Sequence, residues 1–241
     1  MSEPPTSRMI RKLAVHAELD HADRAAITAL PFVRRSYEPS SYLVREGEPA
    51  KKYCSFILDG LAFRQKLTVN GARQIVAIQM VGDFVDFQHL FLRHADHNVQ
   101  ALTRIESADV DRDALQEVAT ERPAIGRAMW TEALVEASIF REWIVNVGRR
   151  DARTRIAHLL CEFAVRMKAA GIAPSEGYEL PMTQEQLGDA TGLTSVHVNR
   201  TLKSLVEDGT ITRRGRFIGF ADWNRLRSTA DFSDLYLHIN R

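Results

Sequence analysis

The spacing of hydrophobic positions changes character three times along the chain. Ile10, Leu13, Ala17, Ile27 and Leu30 recur at helical intervals and predict one or two helices over 8–30, after a start at 1–7 that reads as frayed; Pro31 closes the segment. From about 32 to 110 the pattern shortens to "SYLVREGEP", "YCSFILDGLAFRQKLTVNGARQIVAIQMVGDFVDF" and "NVQALTRIESADV", broken at Glu46-Gly47, Asp59-Gly60, Asn70-Gly71 and Gly82-Asp83. Repeated short strands at that spacing predict a sandwich or barrel, with Asn70-Gly71 the sharpest hairpin signal because both residues tolerate positive φ. After Pro123 the helical period returns and runs to about Val147. Ile125, Met129, Ala133, Ala137, Phe140, Ile144 and Val147 form one apolar strip, and Trp130, Leu134, Val135, Ile139 and Trp143 form a second beside it. Two strips need two partners. The expectation is that one packs on the β domain, while Met129, Ala133, Ala137, Phe140, Ile144 and Val147 meet an identical helix in a parallel homodimer. "GRRDARTRI" then marks a hinge, where Gly148 can end the helix and Asp151 can cap the next, over about 151–170; 171–177 reads as a loop.

The C-terminal stretch "MTQEQLGDATGLTSVHVNRTLKSLVEDGTI" breaks and restarts a helical pattern within a few residues. Thr183 can cap a first helix and Gln186 can complete a capping box, while Leu187 and Ala190 face inward. Gly192 supplies a left-handed residue for the turn. Thr194 caps a second helix, Ser195 to about Glu207, whose Val198, Leu202 and Leu205 fall on the buried side. That spacing is the helix-turn-helix spacing. Opposite lie Ser195, Val196, His197, Asn199, Arg200 and Lys203, short, polar or basic near the N-terminus, where such a helix meets base edges. "GTITRRGRFIGF" follows as a β-hairpin with Arg213, Arg214 and Arg216 around Gly215, a wing whose cations suit a phosphate backbone.

Composition narrows the setting more than the function. With 241 residues there is room for two domains and a core that needs no metal or disulfide support. No apolar run approaches the ~20 residues of a membrane span, the N-terminus lacks a signal peptide's apolar core, and the expected location is the cytoplasm, with no membrane partner. Cys54 and Cys161 are the two cysteines, enough for neither a zinc quartet nor a four-thiolate cluster. No Ser/His/Asp set, Gly-rich phosphate loop or paired-carboxylate motif stands out, so an enzyme is not expected, and no cofactor.

The order of these parts, with "REGEPAKKYCSFILDGLAF", "GDFVDF", "RRDARTRIAHLL" and "MTQEQLGDATGLTSVHVNRTLKSL", resembles the Crp/Fnr family of bacterial transcription regulators over nearly all residues from about 18 onward. The resemblance implies an α+β chain: helices and a cupin-like jelly-roll β-roll sensor related to cyclic-nucleotide-binding domains (1–122), a dimerisation helix (123–148) and a winged helix-turn-helix domain (149–241). It implies double-stranded DNA, a second copy of the chain and RNA polymerase as partners. Arg200 would make the guanine contact, and Thr183 and Gln184 would hold backbone phosphate. Thr194, Ser195, Val196, His197, Asn199, Lys203, Arg213, Arg214 and Arg216 complete the expected DNA surface. Val196 departs from the family, many members having a glutamate there that accepts from cytosine N4; valine can only touch a thymine methyl. The expected operator is two-fold symmetric, with a guanine in each half-site and half-sites about one turn, ~34 Å, apart.

The sensor half departs further. Where cyclic-nucleotide binders place a glycine and a ribose-binding glutamate after "GDF", this chain has Asp86-Phe87-Gln88, and no arginine is aligned within "HADHNVQ". An anionic Asp86 in the phosphate position disfavours cyclic AMP. An unidentified effector would use Phe84, Asp86, Phe87, Gln88, His97 and Asn98 with Phe140 and Arg141 of the long helix; a ligand-free scaffold is the alternative. His89, His94 and His97 are metal-binding residue types, but no carboxylate support is legible around them and no metal is expected.

Overall fold

The computed structural model describes residues 3–172 and 176–239. Helices α1 (Pro5–Ala14) and α2 (His21–Thr28) precede strands β1 (Phe32–Tyr37), β2 (Tyr42–Val44), β3 (Tyr53–Asp59), β4 (Ala62–Leu67), β5 (Arg73–Gln79), β6 (Phe84–Val85), β7 (Asn98–Ala101) and β8 (Ile105–Asp111). Helices α3 (Arg112–Glu121), α4 (Pro123–Arg149) and α5 (Ala152–Ala169) follow. Strand β9 (Gly177–Glu179), α6 (Gln184–Thr191), α7 (Ser195–Glu207), β10 (Thr212–Arg214), β11 (Phe217–Gly219) and α8 (Trp223–Thr229) complete the chain. This is the expected mixed α and β architecture, with an N-terminal β domain, a long helix and a C-terminal helix-turn-helix domain. No described helix is long and apolar enough to cross a membrane.

Two compact units divide the chain: residues up to 65 with 78–137, and residues 66–77 with those from 138 onward. In the first, one sheet runs β1-β8-β3-β6 and a second runs β2-β7-β4, with most of β5, the neighbour of β4, counted in the second unit. Strand β3 is buried on both faces, and its period of two sorts it between two cores. Cys54, Phe56 and Leu58 pack with Met9, Leu13, Ile27, Leu115, Ile125, Ala128 and Met129 of the helices. Ile57 joins Leu43, Val44, Ala62, Val99, Ala101 and Ile105 inside the roll. Two expectations need correction here, and one element is added. Residues 5–7 are the first turn of α1, because Pro5 and Thr6 are buried and proline is at home where no N–H partner is needed. The stretch 112–121, for which no expectation was given, is α3, capped by Asp111, whose side chain accepts from Ala114 N at 2.9 Å. Gly148 does not end the long helix, which continues to Arg149.

In the second unit α5 is the central element, its buried face running from Ile156 to Met167. Asp151 caps it as expected, accepting from Thr154 N at 2.8 Å. Of the loop expected at 171–177, residues 173–175 lie outside the described residues. Buried Glu162 accepts from Trp143 Nε1 (2.9 Å), Tyr236 Oη (2.8 Å) and Arg166 Nη1 (3.3 Å), so its charge is fully committed. His158 beside it is 1% exposed, stacks on Tyr236 and meets Phe232 edge to face. Its Nε2 lies 3.2 Å from Glu142 Oε1, but Arg150 already holds that oxygen at 2.6 Å. Burial, with the Arg150 charge, holds the imidazole at about 3, well below its ordinary 6.5. A lowered histidine value means that the neutral form supports the fold: the contribution is complete above about pH 6.5 and is lost as pH falls towards 3. Lowering the pH from 7.5 to 5 is expected to cost about 2 kcal/mol through this residue. Urea unfolding of the parent and of His158→Leu at both pH values checks this; equal pH losses in the two proteins would refute it.

Candidate nucleic-acid interface

The helix-turn-helix is built by local rules that its sequence carries. Thr183 Oγ1 accepts from Gln186 N (3.1 Å) while Gln186 Oε1 accepts from Thr183 N (2.8 Å), closing the capping box at the start of α6. Gly192 ends α6 in the left-handed region, φ 68° and ψ 36°. Thr194 caps α7 by accepting from His197 N at 3.3 Å. Val198, Leu202 and Leu205 are buried, joined by Thr201. Ser195, Val196, Asn199, Arg200 and Lys203 are exposed, with Val196 at 76%, and His197 is half-buried at the edge of that face.

Two of the expected phosphate and base contacts are brought together directly, since Asn199 Nδ2 donates to Gln184 Oε1 at 3.1 Å. Thr183, its oxygen used as the cap acceptor, remains exposed with a hydroxyl proton to donate. Lys203 leans on Glu207 at 3.5 Å. Arg200 is exposed, and no carboxylate among the described residues pairs with it. Arg213, Arg214 and Arg216 are exposed on the β10–β11 hairpin, in register Thr212↔Gly219 and Arg214↔Phe217. The wing has a third strand that the sequence did not announce, β9, paired to β11 through Ile218↔Tyr178. Its three residues are too short for alternation to be read.

Several residues that position this surface were not singled out from the sequence. A Cβ at Gly188 would lie 2.4 Å from the Leu193 carbonyl oxygen, so the close passage of the turn over α6 requires glycine there. Arg155 of α5 donates from Nη1 to the Thr191 carbonyl (3.1 Å) at the turn. Arg153, one residue further from it than an adjacent pair, donates to Ser204 Oγ (3.1 Å) and pairs with Asp208 at the far end of α7. "QLGDATG" offered a signal for Gly188, a glycine inside a helical pattern; nothing marked the arginines apart from their charge.

In the β domain the expected effector residues separate. Arg64 Nη2 donates to Asp86 Oδ1 (3.1 Å), His97 Nε2 lies 2.9 Å from the same oxygen, and Arg64 Nη1 donates to Glu136 Oε1 of α4 (2.7 Å). Gln88 Nε2 sits 3.3 Å from His97 Nδ1. Burial opposes ionisation of Asp86, but the His97 hydrogen bond and the Arg64 charge prevail and hold its carboxyl below the usual range. Burial raises Glu136 despite Arg64, with Asp86 adding to the effect. Phe84 and Phe87 stack on each other, centroids 4.3 Å apart, and Phe84 is buried in the helix-covered core. Asn98 Oδ1 accepts from Glu46 N (3.1 Å) and ties down the turn there. His89 and His97 flank Asp86, while His94 is exposed, and the described residues contain no His, Cys, Asp and Glu group arranged for a metal ion.

On α4 one residue of the expected contact strip, Met129, faces inward. Met129 is buried in the chain's own core, and Trp143 is buried by its bond to Glu162. Trp130 (63%), Leu134 (64%) and Ile144 (68%) are exposed, and Ala133, Ala137, Phe140 and Val147 are half-buried. Adjacent strips on a helix differ by ~100°, and only tertiary packing decides which one a domain covers. Phe91 and Leu92 are also exposed, with the Phe91 ring 6.0 Å from that of Trp130.

Comparison with known proteins bears on both halves. Residues 154–229 match the model of the Crp-like helix-turn-helix domain, and residues 34–122 match that of the cyclic nucleotide-binding domain. The transcriptional activator protein FnrL of Cereibacter sphaeroides is 30% identical over 230 residues, 93% of this chain and 91% of that protein. The nitrogen fixation regulation protein FixK of Bradyrhizobium diazoefficiens is 30% identical over 202 residues, 84% and 83% of the two chains. Among solved structures, FixK2 from Bradyrhizobium japonicum superposes with a TM-score of 0.77 at 26% identity, over 83% of this chain and 98% of that one.

Proposed function

The chain belongs to the Crp/Fnr family of DNA-binding transcription regulators, and we propose that it acts as a homodimer on a two-fold symmetric operator, each α7 reading one major groove. The observation that carries this is Arg200, an exposed guanidinium without an internal carboxylate, on the same face of α7 as Ser195, Val196, Asn199 and Lys203. A guanidinium fork matches guanine O6 and N7, an arrangement lysine cannot copy. Thr183, Gln184, Thr194 and the wing residues Arg213, Arg214 and Arg216 serve the phosphates, while His197 borders the reading face. Val196 meets a methyl group in place of a cytosine amine. Half-sites lie about one turn, ~34 Å, apart. Arg200→Lys is expected to weaken operator binding by about 1–3 kcal/mol and leave binding to random duplex nearly unchanged. Titrations on both duplexes at one salt concentration check it, and equal weakening on the two would contradict the role.

Dimerisation uses the exposed face of α4 that contains Trp130, Leu134 and Ile144. The long helix divides the molecule into sensor and DNA-binding parts, the cytoplasm is its place of work, and RNA polymerase is its downstream partner. In the sensor, Asp86 supplies from within the chain the anion that Arg64 pairs with, which supports a reading without cyclic AMP. An effector that controls DNA binding must favour the DNA-competent arrangement over the other, since equal affinity for both shifts nothing.

A further inference from the structure

We propose that Arg141 of α4 forms, with its copy across the dimer axis, a site for a small multivalent oxyanion or polycarboxylate that holds the two chains together. The inference rests on the homodimer reading and identifies what neutralises its seam.

The argument begins with charge accounting on one helix. Helix α4 contains three carboxylates, Glu132, Glu136 and Glu142, and each is committed to a cation of its own chain. Glu132 Oε1 is 2.8 Å from Lys12 Nζ and its Oε2 is 2.6 Å from His16 Nε2. Glu136 is held by Arg64 at 2.7 Å and Glu142 by Arg150 at 2.6 Å. Arg141 lies between the last two, is exposed, and has no ion pair or hydrogen bond among the described residues.

The position of Arg141 gives that surplus charge a consequence. Trp130, Leu134, Ala137, Arg141, Ile144 and Gly148 follow one another at alternating steps of four and three, the repeat of a two-stranded left-handed seam. Trp130, Leu134 and Ile144 are the large exposed apolar residues of that series, so a second copy of this helix is the occupant it fits. In a parallel pair, residues in the same layer face each other across the axis, and Arg141 meets Arg141 of the partner subunit. The surroundings supply no carboxylate, because the neighbours one turn away are Ala137, Ser138, Ile144 and Val145. Two guanidinium groups brought together among apolar side chains repel each other more than they would in water. A ligand with two or three negative oxygens would bridge both forks by charge-assisted hydrogen bonds. The site does not exist in one chain alone, so its ligand and dimerisation are linked, and through dimerisation so is operator binding.

Sedimentation equilibrium in chloride, sulfate and citrate at matched ionic strength tests the proposal. Sulfate and citrate are expected to lower the dimer dissociation constant of the parent about tenfold or more relative to chloride. Arg141→Leu is expected to dimerise tightly in all three salts, without an anion response. An Arg141→Leu protein no tighter than the parent in chloride, or one that keeps the anion response, would overturn the site. The double substitution Trp130→Asp with Leu134→Asp separates this from the reading beneath it. If that variant is monomeric while the parent dimer ignores both anions, only the Arg141 site fails; if the variant keeps the parent's dimer mass, the seam itself fails.

Discussion

Replacing Trp130 and Leu134 together by aspartate is expected to weaken the dimer at least a thousandfold while each chain stays folded. Both side chains are more than three-fifths exposed in the single chain, so neither contributes much to its core. Covering the exposed remainder of a tryptophan and a leucine is worth about 1–2 kcal/mol per side chain, and a dimer covers four. The sum, about 4–8 kcal/mol, reaches or passes the about 4 kcal/mol that a thousandfold change represents. Four aspartates in the same layers add like-charge repulsion. Operator affinity should fall about a hundredfold or more, because the second half-site is no longer delivered at high effective concentration. Sedimentation and operator titration check the two losses, and an unchanged circular dichroism spectrum shows that the chain is intact. A folded variant with the parent's mass and operator affinity would refute the contact face.

Gly188→Ala tests the other half of the molecule. The added methyl would sit 2.4 Å from the Leu193 carbonyl oxygen, which is backbone and cannot rotate away. The same two residues are joined by Leu193 N donating to the Gly188 carbonyl at 3.0 Å, so any shift that relieves the clash loosens this bond. Overpacking of this kind costs about 1–3 kcal/mol and more where backbone must move. The expected result is about 3 kcal/mol of lost stability in the helix-turn-helix, read as lost amide protection over α6 and α7, with protection of β3 and β8 retained. Unchanged protection of α6 and α7 would show that the turn tolerates a side chain there.

What could be read from the residues depended on whether local chemistry or tertiary packing decides an element. The capping box of Thr183 and Gln186, the left-handed Gly192 and the Asp151 cap are settled within four residues, and all were legible. The strands with alternation or turn signals emerged as well, but β9 is three residues long and α3 has one buried residue, Leu115, so neither leaves a periodic trace. On α4 both apolar strips were visible, yet which one the core of the β domain would claim was not, and Met129 was assigned outward although it faces in. The Arg64, Asp86 and Glu136 chain was hidden for a different reason. Its members are 22 and 50 residues apart along the sequence, on β4, after β6 and on α4, and only tertiary folding brings them together.

The pair of arginines on α5 has a mechanical meaning. Arg155 grips the turn between α6 and α7, and Arg153 grips the last turn of α7, so the reading helix is clamped at both ends to one 18-residue rod. A tilt of that rod is therefore expected to carry α6 and α7 with it. An effector that controls DNA binding would then act by aiming α7 as one piece with α5, not by reshaping it.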